Sequence, residues 1–206
     1  MFALVESGSI TKYFAGNKGI VIGDTQYPKS IFTLWSESDR NAIGIYTVEI
    51  DNTNKKDEEY YINTNITYAF ADNKVTGSYG TATAKQIADT LFTAQDETDG
   101  LGTEGEVKDK GLKSKKKNII KQQAQGLLNK TDWYVIKATE VESYSVPEEI
   151  TKYRADVRAK SNEMETAIDN ATDVDALATL YAYVNTGTEE NPVIERPLGE
   201  FPTEVV

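Results

Sequence analysis

Between residues 147 and 171 the core-type side chains keep a single helical period: Ile150, Tyr153, Val157, Ser161, Met164 and Ile168 advance by 3, 4, 4, 3 and 4 positions. They therefore share one stripe of an α-helix, and a stripe of that length has to be covered by another element. Ser145, Pro147 and Glu148 read as its start, with Ser145 as cap, the acid three residues later and Pro in the first turn, where its missing N–H costs nothing. "DNAT" interrupts the pattern, and Asp173, Val174, Leu177, Tyr181 and Val184 begin another helix. Its short connection predicts an antiparallel neighbour. Upstream, Ile119, Ile120, Gln123 or Ala124, Leu127 and Leu128 make one more stripe ending near Asn129. The stretch between these helices, "KTDWYVIKATE", is aromatic and β-branched and reads as a short extended insertion.

The first 80 residues use a different vocabulary. Tyr, Ile, Val, Phe and Thr are cut at short intervals by Gly, Asn, Asp and Pro, as in half-buried strands. "FALV" and "ITKYF" flank "ESGS" as a hairpin, and "SIFTLW", "GIYTVEI", "EYYIN", "ITYAF" and "KVTGSYG" follow as strands in a meander. Ile66, Tyr68 and Phe70 alternate onto one face, "ADNK" is turn chemistry, and Ser36 with Asp39 starts one helical turn. Residues 83–94 switch period: Ala84, Ile87, Ala88 and Leu91 fall on a helical stripe.

The expected class is α+β: an N-terminal, mostly antiparallel β domain over 1–94 ending in a short helix, and a C-terminal helical module over 112–185 with one short extended segment. An acidic, Gly-rich linker over 95–111 separates them, and residues 186–206 form an extended tail with Pro192, Pro197 and Pro202 five apart. The tail's Val193, Ile194, Leu198 and Phe201 need a surface to dock on. A chain of 206 residues suffices for two small cores. No apolar run approaches the roughly 20 residues of a membrane span, and "MFALVESGS" has no basic leader, so a soluble protein made in a cytoplasm is expected.

The inventory narrows the chemistry. With no His and no Cys, most catalytic triads, thiolate nucleophiles and zinc sites are excluded, while carboxylate pairs, Ser-Lys dyads and oxygen-ligated cations survive. Pairs such as Glu148/Glu149 and Glu163/Glu165 read as solvated helix surface. "GLGTEG" has dinucleotide-loop spacing but an acidic approach, and Glu104 within it and Glu106 just after it would repel a pyrophosphate. Residues 95–106 half match a calcium loop, with Gln95 where Asp belongs, which leaves only weak cation binding. No cofactor and no resident metal are expected.

Charge is uneven. The formal total is −11, yet residues 108–130 carry eight bases against one acid. Lys113, Lys115, Lys116, Lys117 and Lys121 crowd the first turns of a helix, where cations oppose the macrodipole. They are expected either to be solvated or to meet an acidic surface, on this chain's own C-terminal half or on an adjoining subunit. The acidic remainder disfavours nucleic acid as a partner.

Asp132, Trp133 and Tyr134, then Pro147, then Tyr153, Arg154 and Arg158 spell TDW…P…YR…R. This segment resembles the C-terminal signature of tail-fibre assembly chaperones and related tail proteins of tailed bacteriophages. The wider layout, with "FALVESGSITKY", "GLLNKTDWYVIKATE" and "RPLGEFP", resembles virion proteins of marine phages. Val157, Ala159 and Lys160 depart from the chaperone pattern, which has a leucine between the arginines and an acid after them. The resemblance implies a non-enzymatic structural protein of a tailed-phage virion, in the tail, baseplate or fibre attachment region, or else an assembly chaperone absent from the finished particle. It implies other tail proteins or further copies of this chain as partners, no membrane, and location in the virion after synthesis in the host cytoplasm. Candidate docking residues are Trp133, Tyr134, Tyr153, Arg154 and Arg158, together with Lys113, Lys115, Lys116, Lys117, Leu198 and Phe201. Trp133 and Tyr134 are equally placed to pin a turn by packing, and Asp132 to cap a helix or pair with Arg154 or Arg158.

Overall fold

The computed structural model describes residues 1–205, which form two compact units, one over residues 1–83 and one from residue 84 onward. The class is α+β, with a mostly antiparallel, curled sheet in the first unit and helices in the second.

In the first unit β1 (Phe2–Glu6) and β2 (Ser9–Phe14) form the expected hairpin. Ser7 and Gly8 both take positive φ, the turn that matches strand twist. Strands β3 (Ile20–Ile22) and β4 (Thr25–Tyr27) make a second hairpin. Helices α1 (Ile31–Leu34) and α2 (Glu37–Ala42) lead into β5 (Ile45–Asp51), followed by β6 (Tyr61–Ile62), β7 (Thr67–Ala71), β8 (Lys74–Ser78) and the two-residue β9 (Thr83–Ala84). The main sheet runs β2-β1-β5-β8-β7, and β5 pairs with β8 in parallel, so the expected meander is broken by one crossover. The sheet curls until its edge strands meet, with the Tyr13 and Tyr68 rings 5.0 Å apart.

Alternation along β1 sends Ala3 toward a core with Val48 and Val75, and Leu4 toward a core with Ile20, Ile31, Phe32 and Ile45. "SIFTLW", expected as a strand, is α1. Consecutive Ile31 and Phe32 are both buried, which a strand facing one core cannot do but a helical turn wedged into it can. The Ser36/Asp39 start is a complete capping box.

The second unit opens with β10 (Thr90–Leu91), α3 (Ala94–Thr98) and β11 (Val107–Asp109). Residues 83–94 are not a helix, because the carbonyls of Gln86 and Ile87 accept from the amides of Leu112 and Lys113 instead of closing local turns. Residues 95–111 are not a featureless linker either. Thr93 and Asp96 form a capping box, β10 pairs with β11, and the Phe92 ring lies over Gly102, where a Cβ would come within 2.5 Å.

Helix α4 (Leu112–Asn129) follows, then α5 (Asp132–Glu140), α6 (Glu148–Asn170), α7 (Val174–Tyr181) and the hairpin β12 (Val184–Asn185) with β13 (Ile194–Glu195). The whole predicted α6 stripe is buried, and it packs on α4. Ser145 does not cap α6; the chain enters through Pro147, whose carbonyl accepts from Thr151 at 3.0 Å. The "DWYVIKATE" stretch is helical, not extended: among the described residues it joins no sheet, and Asp132 at its start is held by Arg154. Residues 186–205 contain no helix, and Leu198 and Phe201 dock on this unit's own body. No helix among the described residues is long and apolar enough to cross a membrane.

Asp96 is a pH-sensitive clip in this unit. The Lys108 ammonium at 2.7 Å, then the amide and hydroxyl of Thr93, hold its carboxyl at about 2, below the usual 3.8. A depressed folded value gives stability that is present above the unfolded value and lost as pH falls through the folded one. Amide exchange in residues 92–108 should therefore speed up as pH drops from about 4 to about 2, beyond the change expected from intrinsic exchange rates, and Asp96→Asn should abolish that excess.

Candidate functional site

The TDW…YR segment folds into one polar joint. Arg154, on the buried stripe of α6 and only 9% exposed, sends its guanidinium across to the end of α4. Nη1 donates to the Leu128 carbonyl at 2.9 Å and to the Thr131 hydroxyl oxygen at 2.7 Å, while Nη2 sits 2.8 Å from the Asp132 carboxylate. The Thr131 hydroxyl itself donates to the Leu128 carbonyl at 2.9 Å. Leu128 is in the last turn of α4, where carbonyls lack helical partners and a cation is favoured. One planar fork thus closes α4, fixes the turn at Thr131 and holds the first residue of α5, which a single ammonium could not do.

Tyr153 is buried at 4% exposure beside Ala124 and Val157. Its hydroxyl has no hydrogen-bond partner among the described residues, and burial raises its pKa, reinforced by Glu204 and opposed by Lys130. The tail covers this side of the helix pair: Phe201 and Val205 pack on the same cluster, Leu198 is 2% exposed, and the Lys130 ammonium bonds Glu204.

Trp133 and Tyr134 are not the buried anchor of the turn. Their rings contact each other at 3.7 Å between centroids, Tyr134 is half-buried, and Trp133 is 51% exposed. Helix α5 has no buried residue, and Val135, Ile136 and the following Val141 are exposed as well. On the other side of Ala124 an open groove of about 470 Å³ runs between α4 and α6, lined by Lys121, Leu128, Asn129, Asp132, Arg154 and Arg158. Arg158 is exposed, and its Nη1 donates to the Arg154 carbonyl at 3.3 Å.

The lysines of α4 turn mostly inward on their own unit. Lys113 donates to the Asp169 carbonyl at 2.8 Å, Lys117 pairs with the Asp169 carboxylate at 2.8 Å, and Lys121 with Glu165 at 3.3 Å. Lys116 is buried with its ammonium 4.1 Å from the centre of the Tyr181 ring, and Lys115 stays exposed. The missed partner at the start of α4 is Asp89. Its carboxylate accepts from the Gly111 amide and the Ser114 hydroxyl, each at 2.7 Å, and these bonds lower its pKa. Nothing local marks that contact, because 22 residues separate Asp89 from the amide it caps. Gly111 is required there, since a Cβ would meet the Ala88 carbonyl oxygen at 2.3 Å.

In residues 95–106 three of the acids have local roles. Gln95 donates to Asp99, Asp96 holds Lys108, and Glu97 accepts from the Glu104 amide. Among the described residues no group of three or more metal-ligating side chains converges. No family model, curated protein or solved structure matches the chain.

Arg154→Ala should destabilise the helical unit by about 3 kcal/mol, since it removes the charge-assisted bonds to the Leu128 carbonyl and the buried Thr131 hydroxyl and empties the space of a long side chain that is only 9% exposed. Asp132→Ala should cost only about 1 kcal/mol, because Asp132 is 46% exposed and solvent already screens the pair. Urea denaturation followed by Trp133 fluorescence in a Trp35→Phe background checks both.

Proposed function

We propose that this chain is a non-enzymatic structural protein of a tailed-phage virion, in the tail, baseplate or fibre attachment region, and that it works by packing against other tail proteins or further copies of itself. One observation carries the reading: the segment that resembles phage tail proteins folds into a nine-residue helix, α5, with no buried residue and with Trp133, Val135 and Ile136 exposed. So short a helix is not stable by its own propensity. It is held through Asp132 by Arg154, and the apolar residues it presents do nothing for the unit's own core. Trp is a favoured anchor at protein interfaces, and exposed apolar groupings of this kind serve contacts.

The placement of the motif residues supports the same reading. Arg154 and Tyr153 are spent on building the joint, whereas Trp133 and Arg158 are left at the surface. Support from the resemblance is strongest where it meets this division, since a motif that shapes and presents a helix suits a protein acting through its surface.

Mass spectrometry of purified virions tests the proposal. The expected result is many copies of the chain per particle. A chain abundant in the infected cell and missing from finished particles would instead make it an assembly chaperone.

A further inference from the structure

We propose that the groove between α4 and α6 receives the acidic β12–β13 hairpin of a second copy of this chain. The inference rests on the reading of this protein as one that works by packing, and it names the partner and the two surfaces. Of the groove's three cations, Arg154 is held by Asp132 and Lys121 by Glu165, which leaves Arg158. Arg158 has no carboxylate partner among the described residues. The groove floor is apolar, with Ala124 and Leu128.

The hairpin is its complement. Residues 184–195 contain Glu189, Glu190 and Glu195 and no base. Glu189 and Glu190 are exposed at the tip, and neither has an ion-pair partner among the described residues. Below the tip, Tyr183, Val184, Val193 and Ile194 are between 46% and 60% exposed. An isolated two-stranded hairpin is marginal in water, yet this one is pre-shaped. The Asn185 side-chain oxygen accepts from the amides of Gly187 and Val193, both at 3.0 Å, and the Thr188 hydroxyl accepts from the Asn191 amide at 3.0 Å. A rigid tip loses little entropy on docking.

No residue of this hairpin lines the groove of its own chain. The exposed guanidinium of Arg158 and the exposed carboxylates of Glu189 and Glu190, none with an ion-pair partner among the described residues, are satisfied together when two copies meet. Because the patches differ, the contact is head-to-tail.

Sedimentation of the full-length chain over a range of concentrations tests this. Wild type should self-associate, and the association should weaken as ionic strength rises from about 0.1 M to about 1 M, where the screening length falls from about 10 Å to about 3 Å. Arg158→Glu in one variant, and Glu189→Lys with Glu190→Lys in another, should each weaken self-association about tenfold or more. Mixed in equal amounts, the two variants should associate again, since every groove then finds a hairpin of opposite sign. All three positions are exposed, and circular dichroism matching wild type confirms that the variants fold. A wild-type chain that stays monomeric, reversals without effect, or failure of the mixture to recover overturns the proposal, as does a groove that binds only an acidic segment of some other protein. Reversals without effect in a chain abundant in virions would overturn this contact alone. Recovery in the mixture by a chain absent from virions would overturn only the virion reading.

Discussion

The helical unit depends on a buried guanidinium. Taking a charge out of water is expensive unless its donors are met, and Arg154 meets three acceptors within one short stretch: the Leu128 carbonyl, the Thr131 hydroxyl and the Asp132 carboxylate. Those acceptors are the end of one helix, the turn, and the start of the next, so satisfying the charge and setting the path of the chain are the same event. The path has a consequence at the surface. Because α5 is held through its first residue, its later residues need not be buried, and Trp133, Val135 and Ile136 stay in solvent.

A second constraint is electrostatic. Lysines in the first turns of α4 oppose the helix dipole, and two acidic devices from distant parts of the unit offset them. Asp89 accepts from the Gly111 amide and the Ser114 hydroxyl, while Asp169 and Glu165, late on α6, take Lys117 and Lys121. Lys116 lies with its stem buried and its ammonium over Tyr181, the usual compromise for a long cationic side chain in a core. A basic block that looks like a binding patch along the sequence is thus largely used up in holding α4 to α6 and α7.

Strong periodicity and local capping were legible from the sequence: the α6 stripe, the β1–β2 hairpin, the Ser36/Asp39 box and the end of α4 are where residue spacing places them. What failed depended on contacts far along the chain. Residues 83–94 carry a helical stripe, but their carbonyls are taken by amides beyond Gly111. "DWYVIKATE" has β-forming side chains, but among the described residues it joins no sheet. Residues 95–111 lack hydrophobic period because their order comes from a capping box, one Phe ring over a Gly, and an Asp–Lys clip. Of the site, the Asp132–Arg154 pair was legible as one of the options that spacing allowed. That Trp133 faces solvent while Tyr153 is buried was not, because both sit in aromatic, apolar-looking sequence and only packing separates them.

The two sides of the α4–α6 pair bear on how the chain would assemble. One side is closed by its own tail, with Leu198 and Phe201 docked and Glu204 tied to Lys130. The other is open and presents Arg158. A surface already filled by a covalently tethered segment is occupied at the high effective concentration of an intramolecular contact, so a free partner competes poorly there and the open side is the accessible one. A contact made by a rigid hairpin in that groove would repeat with a nearly constant rotation from copy to copy. Whether such a head-to-tail series closes into a ring or continues as a filament depends on that rotation alone, so the stiffness given to the hairpin by Asn185 would bear directly on the symmetry of the assembly.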